Sequence, residues 1–370
     1  MVLQGKILRT LLSLLAGGVL LVIISSATVR DDMDMVVCDC VGATSEYVTV
    51  AGVGDIMLGT SFPSNAYLPD ESILGTLFGT LGDTLNTFDV VFGNLEGAFL
   101  NDGPPAKICR DSTLCYLFRM PERYAVLLRD AGFNMISLAN NHINDFGDAG
   151  RRRSMRLLDS LGIAHAGVTE RPYDIVEVRG LKVGLVAFAP NRGTVNMHDH
   201  DGVASLIATM KERCNIVVAS FHGGAEGADY QHLTREVEYY HGENRGNVYE
   251  FARLLIDSGA DIVFGHGPHV ARAIDLYKDR FIAYSLGNFM TFSRFNIQGP
   301  NGLAPVAVVT VNSEGEFVTG RIVPGHQLWR QGVRYDGQRR VINRIRELNL
   351  ADIPESPIAL SEEGLIYRKE

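Results

Sequence analysis

The chain has 370 residues, of which 46% are hydrophobic and 21% charged, a composition typical of a folded globular protein. Its formal net charge of -9 argues against nucleic acid as a partner, because proteins that bind phosphate backbones present a basic surface. The five cysteines exclude a disulfide-stapled scaffold and have no spacing typical of a cysteine zinc site.

The first predicted element is an uncharged run, Thr10 to Val29. As a helix rising ~1.5 Å per residue it would reach ~30 Å, enough to cross a bilayer. Lys6 and Arg9 precede it, which predicts a cytoplasmic N-terminus and an outward-facing remainder. Ser25 and Ala27 form a small-x-small site, so a cleaved signal peptide is the alternative. The run exceeds the ~7 to 15 residues of a signal peptide core, which favours an uncleaved anchor in the cell membrane.

Short apolar runs alternate with helical patterns after a polar linker at residues 31–46. The apolar runs are Tyr47 to Val53, Asp89 to Phe92, Asn134 to Ala139, Lys182 to Ala189, Asn215 to Ser220, Asp261 to Phe264 and Arg280 to Leu286. The helical patterns are Pro121 to Ala131, Ala149 to Leu161 and Val248 to Ser258. This alternation predicts βαβ units and an α/β fold with a mostly parallel, buried sheet.

The pattern divides the chain into four parts. We predict a membrane anchor or signal segment at 1–30, a juxtamembrane linker at 31–46, one domain at 47–325 and a C-terminal tail at 326–370 that packs on it. Cys109 and Cys115 could close a small loop in an oxidising compartment, and the sequence leaves their pairing open.

Polar side chains follow six of the apolar runs. The segments are GDIMLG (54–59), GNLEG (93–97), NNHINDFG (140–147), FHGGAEG (221–227), GHGPH (265–269) and SLGNF (285–289). Ligands of open α/β sheets bind outside the carboxyl ends of the strands, so we expect these segments to converge.

Convergence would gather carboxylates, an amide and imidazoles at one edge. The candidate residues are Asp55, Glu96, Asn141, His142, His222, Glu226, His266 and His269. This set suits zinc, manganese or iron, and two such ions ~3.5 to 4 Å apart can activate water. A single motif of this kind is usually a turn or a hydrogen-bonded core histidine. Six of them together predict a divalent metal site with one or two ions.

These motifs in this order resemble the CapA family, the bacterial poly-γ-glutamate capsule synthesis proteins. The resemblance covers roughly residues 47–325 and includes GDIMLG, NLEG, LANNHINDFG, the His-Gly-Gly-x-Glu of 222–226, GHGPHV and YSLGNF. It implies a four-layer α/β/β/α sandwich like that of the calcineurin-like metallophosphoesterases, a metal site at the strand ends and an N-terminal membrane anchor.

The resemblance also implies roles for individual residues. It makes Asp55 a ligand of the first ion, Glu96 or Asn94 the bridging group, Asn141, His222 and His266 ligands of the second ion, His269 a further ligand of the first, and His142 the general acid. Glu226 has no clear counterpart in the superfamily, and its own chemistry makes it a ligand, a base or a group that orients His222. Met57 stands where the superfamily usually has a histidine, and a thioether is a poor ligand for hard divalent ions, so a one-metal site stays open.

Three functions remain as hypotheses. The first is an outward-facing, membrane-anchored component of capsule or poly-γ-glutamate-type polymer synthesis, working with membrane-bound synthase subunits and acting on the polymer or its precursor. Because the protein is acidic, it would bind this polyanion through metal ions and arginines such as Arg110, Arg119, Arg245 and Arg272. The second is a surface phosphoesterase, and the third a non-catalytic assembly subunit. His142 and Glu226 beside a metal site favour catalysis, as a hydrolase or transferase.

Overall fold

Runs of valine and isoleucine form the central strands of this protein, because branched side chains favour extended backbone and pack well on a pleated surface. The computed structural model describes residues 47–107 and 116–369. The predicted anchor, the linker and the pair Cys109 and Cys115 lie outside these residues. Within the described ranges, no helix has both the length and the apolarity needed to cross a membrane.

The elements of the described residues alternate as the sequence predicts. The strands are β1 (Tyr47–Met57), β2 (Val90–Leu95), β3 (Ala98–Phe99), β4 (Arg119–Met120), β5 (Met135–Ser137), β6 (Ala164–Ala166), β7 (Tyr173–Val178), β8 (Leu181–Phe188), β9 (Ile216–His222), β10 (Tyr239–Tyr240), β11 (Glu243–Asn244), β12 (Ile262–His266), β13 (Ile274–Tyr277), β14 (Arg280–Ala283), β15 (Asn288–Thr291), β16 (Val306–Asn312), β17 (Phe317–Val323), β18 (Gly325–Leu328), β19 (Gly332–Tyr335), β20 (Ile358–Leu360) and β21 (Leu365–Arg368). The helices are α1 (Gly79–Leu85), α2 (Ala125–Asp130), α3 (Gly147–Ser160), α4 (His200–Arg213), α5 (Val248–Asp257) and α6 (Arg340–Asp352).

Two mixed sheets carry the fold. Among the described residues the larger has the order β20-β21-β17-β16-β1-β2-β5-β6, with β15 also paired to β1. The smaller has the order β13-β14-β12-β9-β8-β7. The strands β1, β2, β5 and β6 are parallel neighbours in the first sheet, and β8, β9, β12 and β14 are parallel neighbours in the second. The α/β fold predicted from the sequence is therefore confirmed.

Alternating side chains separate three apolar layers. In β1, Val48 and Val50 face the second sheet, whereas Ala51 and Val53 face the cluster that contains α1, α2 and α3. In β9, Ile216 and Val218 join the layer between the sheets, and the alternate residues face α4 and α5. The described residues thus form helix, sheet, sheet and helix layers, and central strands such as β2, β9 and β12 are buried on both faces.

The segment predicted as a C-terminal tail contains β18 to β21 and α6. Strand β21 pairs with β17, so this segment extends the larger sheet. Helix α6 contributes Val341, Ile342 and Ile345 to the layer between the sheets. The hydrophobic pattern of the sequence did not predict these four strands and this helix.

Glycines bring the strand ends close together. A Cβ atom on Gly54 would lie 2.0 Å from the carbonyl oxygen of Gly287, so neither segment could approach the other with a larger residue there. Gly267 has a φ of 114°, and a Cβ atom on it would lie 2.5 Å from the carbonyl oxygen of Gly223. These approaches place the ends of β1, β9, β12 and β15 around one site.

Candidate metal centre

The larger sheet supplies carboxylates to this site. Asp55 lies near the end of β1, opposite Asn94 of β2, and the Asn94 amide nitrogen donates to Asp55 Oδ1 at 2.9 Å. Glu96 follows β2 and is fully buried. The two acids come from adjacent strands because parallel strands end at the same edge of a sheet.

Neither carboxylate oxygen of Glu96 has a hydrogen-bond partner among the described residues. Burial raises the pKa of this carboxyl well above its ordinary value, since removal from water disfavours the charged form. A buried carboxyl without partners carries a free-energy penalty unless a cation or a proton compensates it. Glu96 is therefore suited to hold a metal ion.

The smaller sheet supplies imidazoles. His222 ends β9, is fully buried, and has no hydrogen-bond partner at either ring nitrogen among the described residues. Burial lowers its pKa well below the ordinary value, so the ring is neutral at pH 7. A neutral imidazole with a free nitrogen lone pair is the form that binds metal.

His269 joins the two sheets at the centre. Its Nδ1 lies 2.8 Å from Asp55 Oδ2, and its Nε2 lies 3.7 Å from Glu96 Oε1. Burial alone would lower the pKa of His269, but the surrounding carboxylates outweigh burial and raise that pKa to about 10. Burial would likewise raise the pKa of Asp55, yet the hydrogen bond from His269 keeps it below the ordinary value.

The backbone of His269 is left-handed, with a φ of 57°. Non-glycine residues rarely adopt this conformation, and it persists where the surrounding structure demands it, often at functional sites. The turn after Pro268 therefore directs the ring into the site. Asp55, Glu96 and His269 each offer one atom within 4.8 Å of one another, a suitable group for a metal ion.

His266 is bonded to the protein. Its Nε2 donates toward the Val53 carbonyl at 3.0 Å, and its Nδ1 lies 3.3 Å from Ser220 Oγ. These contacts tie β12 to β1 and to β9. The ligand role assigned to His266 stays a prediction, and this arrangement favours a structural role instead.

His142 has the geometry of an oriented acid. Its Nδ1 lies 2.7 Å from Asp145 Oδ2, and its Nε2 lies 3.9 Å from Glu96 Oε1. The Phe118 ring packs against the imidazole with centroids 4.2 Å apart. Because Nδ1 donates a hydrogen bond to Asp145, Nε2 is the nitrogen that faces the site.

Two consecutive asparagines have different surroundings. The Asn140 amide nitrogen donates to Asn94 Oδ1 at 3.1 Å and to the Leu95 carbonyl at 2.8 Å, and its oxygen accepts from the His142 backbone. Asn140 thus fixes the loop that carries His142. Asn141 Oδ1 is buried and has no partner among the described residues, so the sequence prediction that Asn141 is a ligand fits its position.

Glu226 forms an ion pair with Arg245 and is not part of the group formed by Asp55, Glu96 and His269. Its Oε1 lies 3.0 Å from Arg245 Nη2, and its Oε2 lies 3.8 Å from His269 Nε2. Glu226 therefore sits at the rim of the centre, between a cation and an imidazole.

Asn140, Asp145 and Asn288 lie in the predicted strand-end segments but were not predicted as site residues. Asn288 lies opposite Asp55 in the register of β15 and β1. Its nitrogen donates to the His269 carbonyl at 3.2 Å, whereas its oxygen has no partner among the described residues. The three-residue spacing from His142 to Asp145 was the sequence signal that could have identified Asp145 as the hydrogen-bond partner of His142.

The donor set fits a divalent metal ion. Buried candidate donor atoms without a hydrogen-bond partner among the described residues include Glu96 Oε1 and Oε2, His222 Nδ1 and Nε2, Asn141 Oδ1 and Asn288 Oδ1. Oxygen and imidazole donors in one site suit zinc, manganese or iron. Met57 instead packs in the apolar cluster on the helix side of β1.

Comparison with known proteins identifies the family. The profile described as "Bacterial capsule synthesis protein PGA_cap" matches residues 49–293. The chain belongs to this family. The matched region contains every predicted site residue from Asp55 to His269, and the resemblance to CapA proteins is confirmed.

Two CapA proteins are among the relatives. "Capsule biosynthesis protein CapA" of Bacillus anthracis is 27% identical over 268 residues, which cover 66% of this chain and 60% of that protein. "PGA biosynthesis protein CapA" of Bacillus subtilis is 24% identical over 263 residues, which cover 67% of this chain and 64% of that protein. The chain thus spans less than two thirds of the length of either relative.

A solved structure, the NAD nucleotidase of Haemophilus influenzae, is 10% identical with a TM-score of 0.42. Its match covers 83% of this chain and 56% of that chain.

Proposed function

We propose that this protein is a membrane-anchored, metal-dependent hydrolase or transferase on the outer side of the cell membrane. In this proposal it acts on an anionic capsule polymer of poly-γ-glutamate type, or on its precursor, beside membrane-bound synthase subunits. The family of capsule synthesis proteins supports the polymer, and the uncharged run at 10–29 supports the anchor.

One observation carries the proposal of a metal centre. Glu96 and His222 are fully buried polar side chains with no hydrogen-bond partner among the described residues, beside the pair of Asp55 and His269. Leaving such groups unsatisfied costs about 1–3 kcal/mol each, so a ligand that satisfies them is expected. Asp55, Glu96, His222, His269 and the Asn141 amide oxygen would hold one or two ions, in a layout like that of the metallophosphoesterases.

A divalent ion held by these residues would activate a water molecule and polarise the carbonyl of the bond to be broken. In this proposal Glu226 accepts a proton from the water as the water oxygen bonds to the γ-carbonyl carbon. His142 then gives its Nε2 proton to the departing nitrogen as the carbon–nitrogen bond breaks. Asp145 stabilises the positively charged imidazole before this transfer and holds the ring in the required orientation.

Turnover of a γ-glutamyl bond by the full-length, metal-reconstituted protein tests this function. Penta-γ-glutamate and a phosphate monoester are offered separately, and released amine and phosphate are measured. We expect cleavage of the γ-glutamyl bond, with His142→Ala lowering kcat about 10²- to 10⁴-fold at unchanged metal content. His200→Ala, at an exposed helix start, is the matched control.

Unchanged kcat in His142→Ala would remove the acid assignment. Hydrolysis of the phosphate ester alone would make the protein a phosphoesterase. Metal binding without turnover of either compound would indicate a non-catalytic assembly subunit.

A further inference from the structure

Two cavities are linked by two side-chain pairs near the candidate centre. His142 and Glu226 line a cavity of about 280 Å³. Their partners Asp145 and Arg245 line a second cavity of about 590 Å³. A molecule bound at the centre can therefore extend in two directions.

The two cavities differ in chemistry. Aromatic rings line the first, including Tyr116, Phe118, Tyr240 and Phe295. The second is lined by amides and cations, including Asn141, Asn144, Arg192, Lys107 and Arg245. A cation-lined cavity is unusual on a protein with a net charge of -9, and it predicts an anionic occupant.

Arg245 is the cation of this cavity that pairs with Glu226 at the rim of the centre. It is 4% exposed, with Nη2 at 3.0 Å from Glu226 and Nε at 3.2 Å from Glu243. Its Nη1 is buried without a hydrogen-bond partner among the described residues. A guanidinium has five donors and cannot lose its charge, so a buried free donor calls for an acceptor.

The carboxylates of the second cavity lie beside cations or hydrogen-bond donors. Asp145 Oδ2 accepts from His142 and from the Phe118 backbone, whereas Asp145 Oδ1 has no hydrogen-bond partner among the described residues and lies 3.9 Å from Lys107 Nζ. Asp148 pairs with Arg151, and Glu243 lies beside Arg245. Arg192 is exposed at the same cavity and adds positive charge.

We infer that the second cavity is an anion-binding subsite in which Arg245 Nη1 contacts a carboxylate or phosphoryl group of the substrate. The inference rests on the proposed function, and it deepens it by fixing the orientation of the substrate. The anionic part retained after bond cleavage lies with Arg245, and the leaving group lies beside His142 in the aromatic cavity.

Calorimetric titration of the full-length protein with glutarate and with inorganic phosphate tests this subsite. The protein is kept in a chelator, so that binding does not depend on the metal centre or on turnover. We expect Arg245→Gln to weaken binding of the preferred anion by at least about tenfold, because a charge-assisted hydrogen bond is lost. Arg129→Gln, a change at an exposed arginine of α2, is the matched control and leaves binding unchanged.

Two further variants do not depend on removing the buried arginine. Arg192→Gln removes only a surface charge and should weaken binding about two- to threefold, less so at high salt. Glu226→Gln frees the guanidinium from its carboxylate and should tighten binding about threefold, which a purely structural arginine would not produce. Tighter binding of phosphate than of glutarate would identify the group as phosphoryl. Equal binding by the parent, Arg245→Gln and Glu226→Gln would overturn the subsite, whereas loss of turnover alone would not.

Discussion

The ends of β9 and β12 lie side by side and each carries a fully buried histidine, yet the two imidazoles have opposite surroundings. His266 pairs with His222 in the strand register. Both nitrogens of His266 contact the protein, at Val53 and Ser220, whereas neither nitrogen of His222 has a partner among the described residues. His266 joins the sheets, whereas His222 keeps both ring nitrogens without a hydrogen-bond partner among the described residues, as the proposed metal centre requires.

The largest difference is expected in metal affinity. His222→Ala should lower it by more than about 100-fold, because loss of even an indirect partner of a metal ligand costs about 10- to 100-fold. His266→Gln should retain most of the affinity, since its ring faces the Val53 carbonyl and Ser220. Competition with a chromogenic zinc chelator measures both. Equal loss of metal in both variants would mean that His222 and His266 have the same role, which would contradict the difference drawn between them.

For the free energy of unfolding we expect the opposite order: loss of His266 should cost more than loss of His222. His266→Ala leaves the buried Val53 carbonyl without its donor, which should lower the free energy of unfolding by about 1–3 kcal/mol, and more if a cavity remains. His222→Ala in the metal-free protein removes an imidazole that has no partner and should cost less. Urea unfolding in the presence of a chelator measures both values. Greater destabilisation by His222→Ala would contradict the assigned roles.

A pH series sharpens the comparison further. Burial lowers the pKa of His222 well below its ordinary value, so below pH ~6.5 the unfolded chain binds a proton that the folded chain does not. The free energy of unfolding of the metal-free protein should therefore fall with decreasing pH, by up to about 1.4 kcal/mol per unit for this residue. His222→Leu should flatten this slope between pH 6.5 and 5. Parallel slopes in parent and variant would mean that folded His222 accepts the proton.

The smallest effect concerns the second contact of His266. Ser220→Ala removes a 3.3 Å contact to its Nδ1 and should lower the free energy of unfolding by about 1 kcal/mol or less. Metal content should not change. Ser205→Ala, on α4, serves as the control in the same unfolding assay. A loss of metal in Ser220→Ala would show that His266 is positioned for a ligand after all.

Hydrophobic patterning predicted the central strands and three helices because it directly records burial. The run at Asn215 to Ser220 became β9, and the pattern at Val248 to Ser258 became α5. The sequence pattern did not predict helix α4, which begins within the run HDHD at residues 198–201. Asp199 of this run caps the helix by accepting from the Gly202 backbone.

The site was predictable as a set of strand ends but not in its detail. Glycine and proline punctuation marked where strands end, and topology rules placed these ends together. The sequence could not tell which histidine meets a carbonyl, because Val53 lies 213 residues from His266 in the chain. The sequence likewise did not predict the pairing of Glu226 with Arg245.

Elemental analysis of the full-length protein tests the central claim most directly. The protein is reconstituted with zinc, manganese or iron, dialysed and compared with Glu96→Gln and His266→Gln. The account predicts one or two ions per chain in the parent and in His266→Gln, and marked loss in Glu96→Gln. No stoichiometric metal in the parent with any of the three ions would contradict a metal centre at these strand ends.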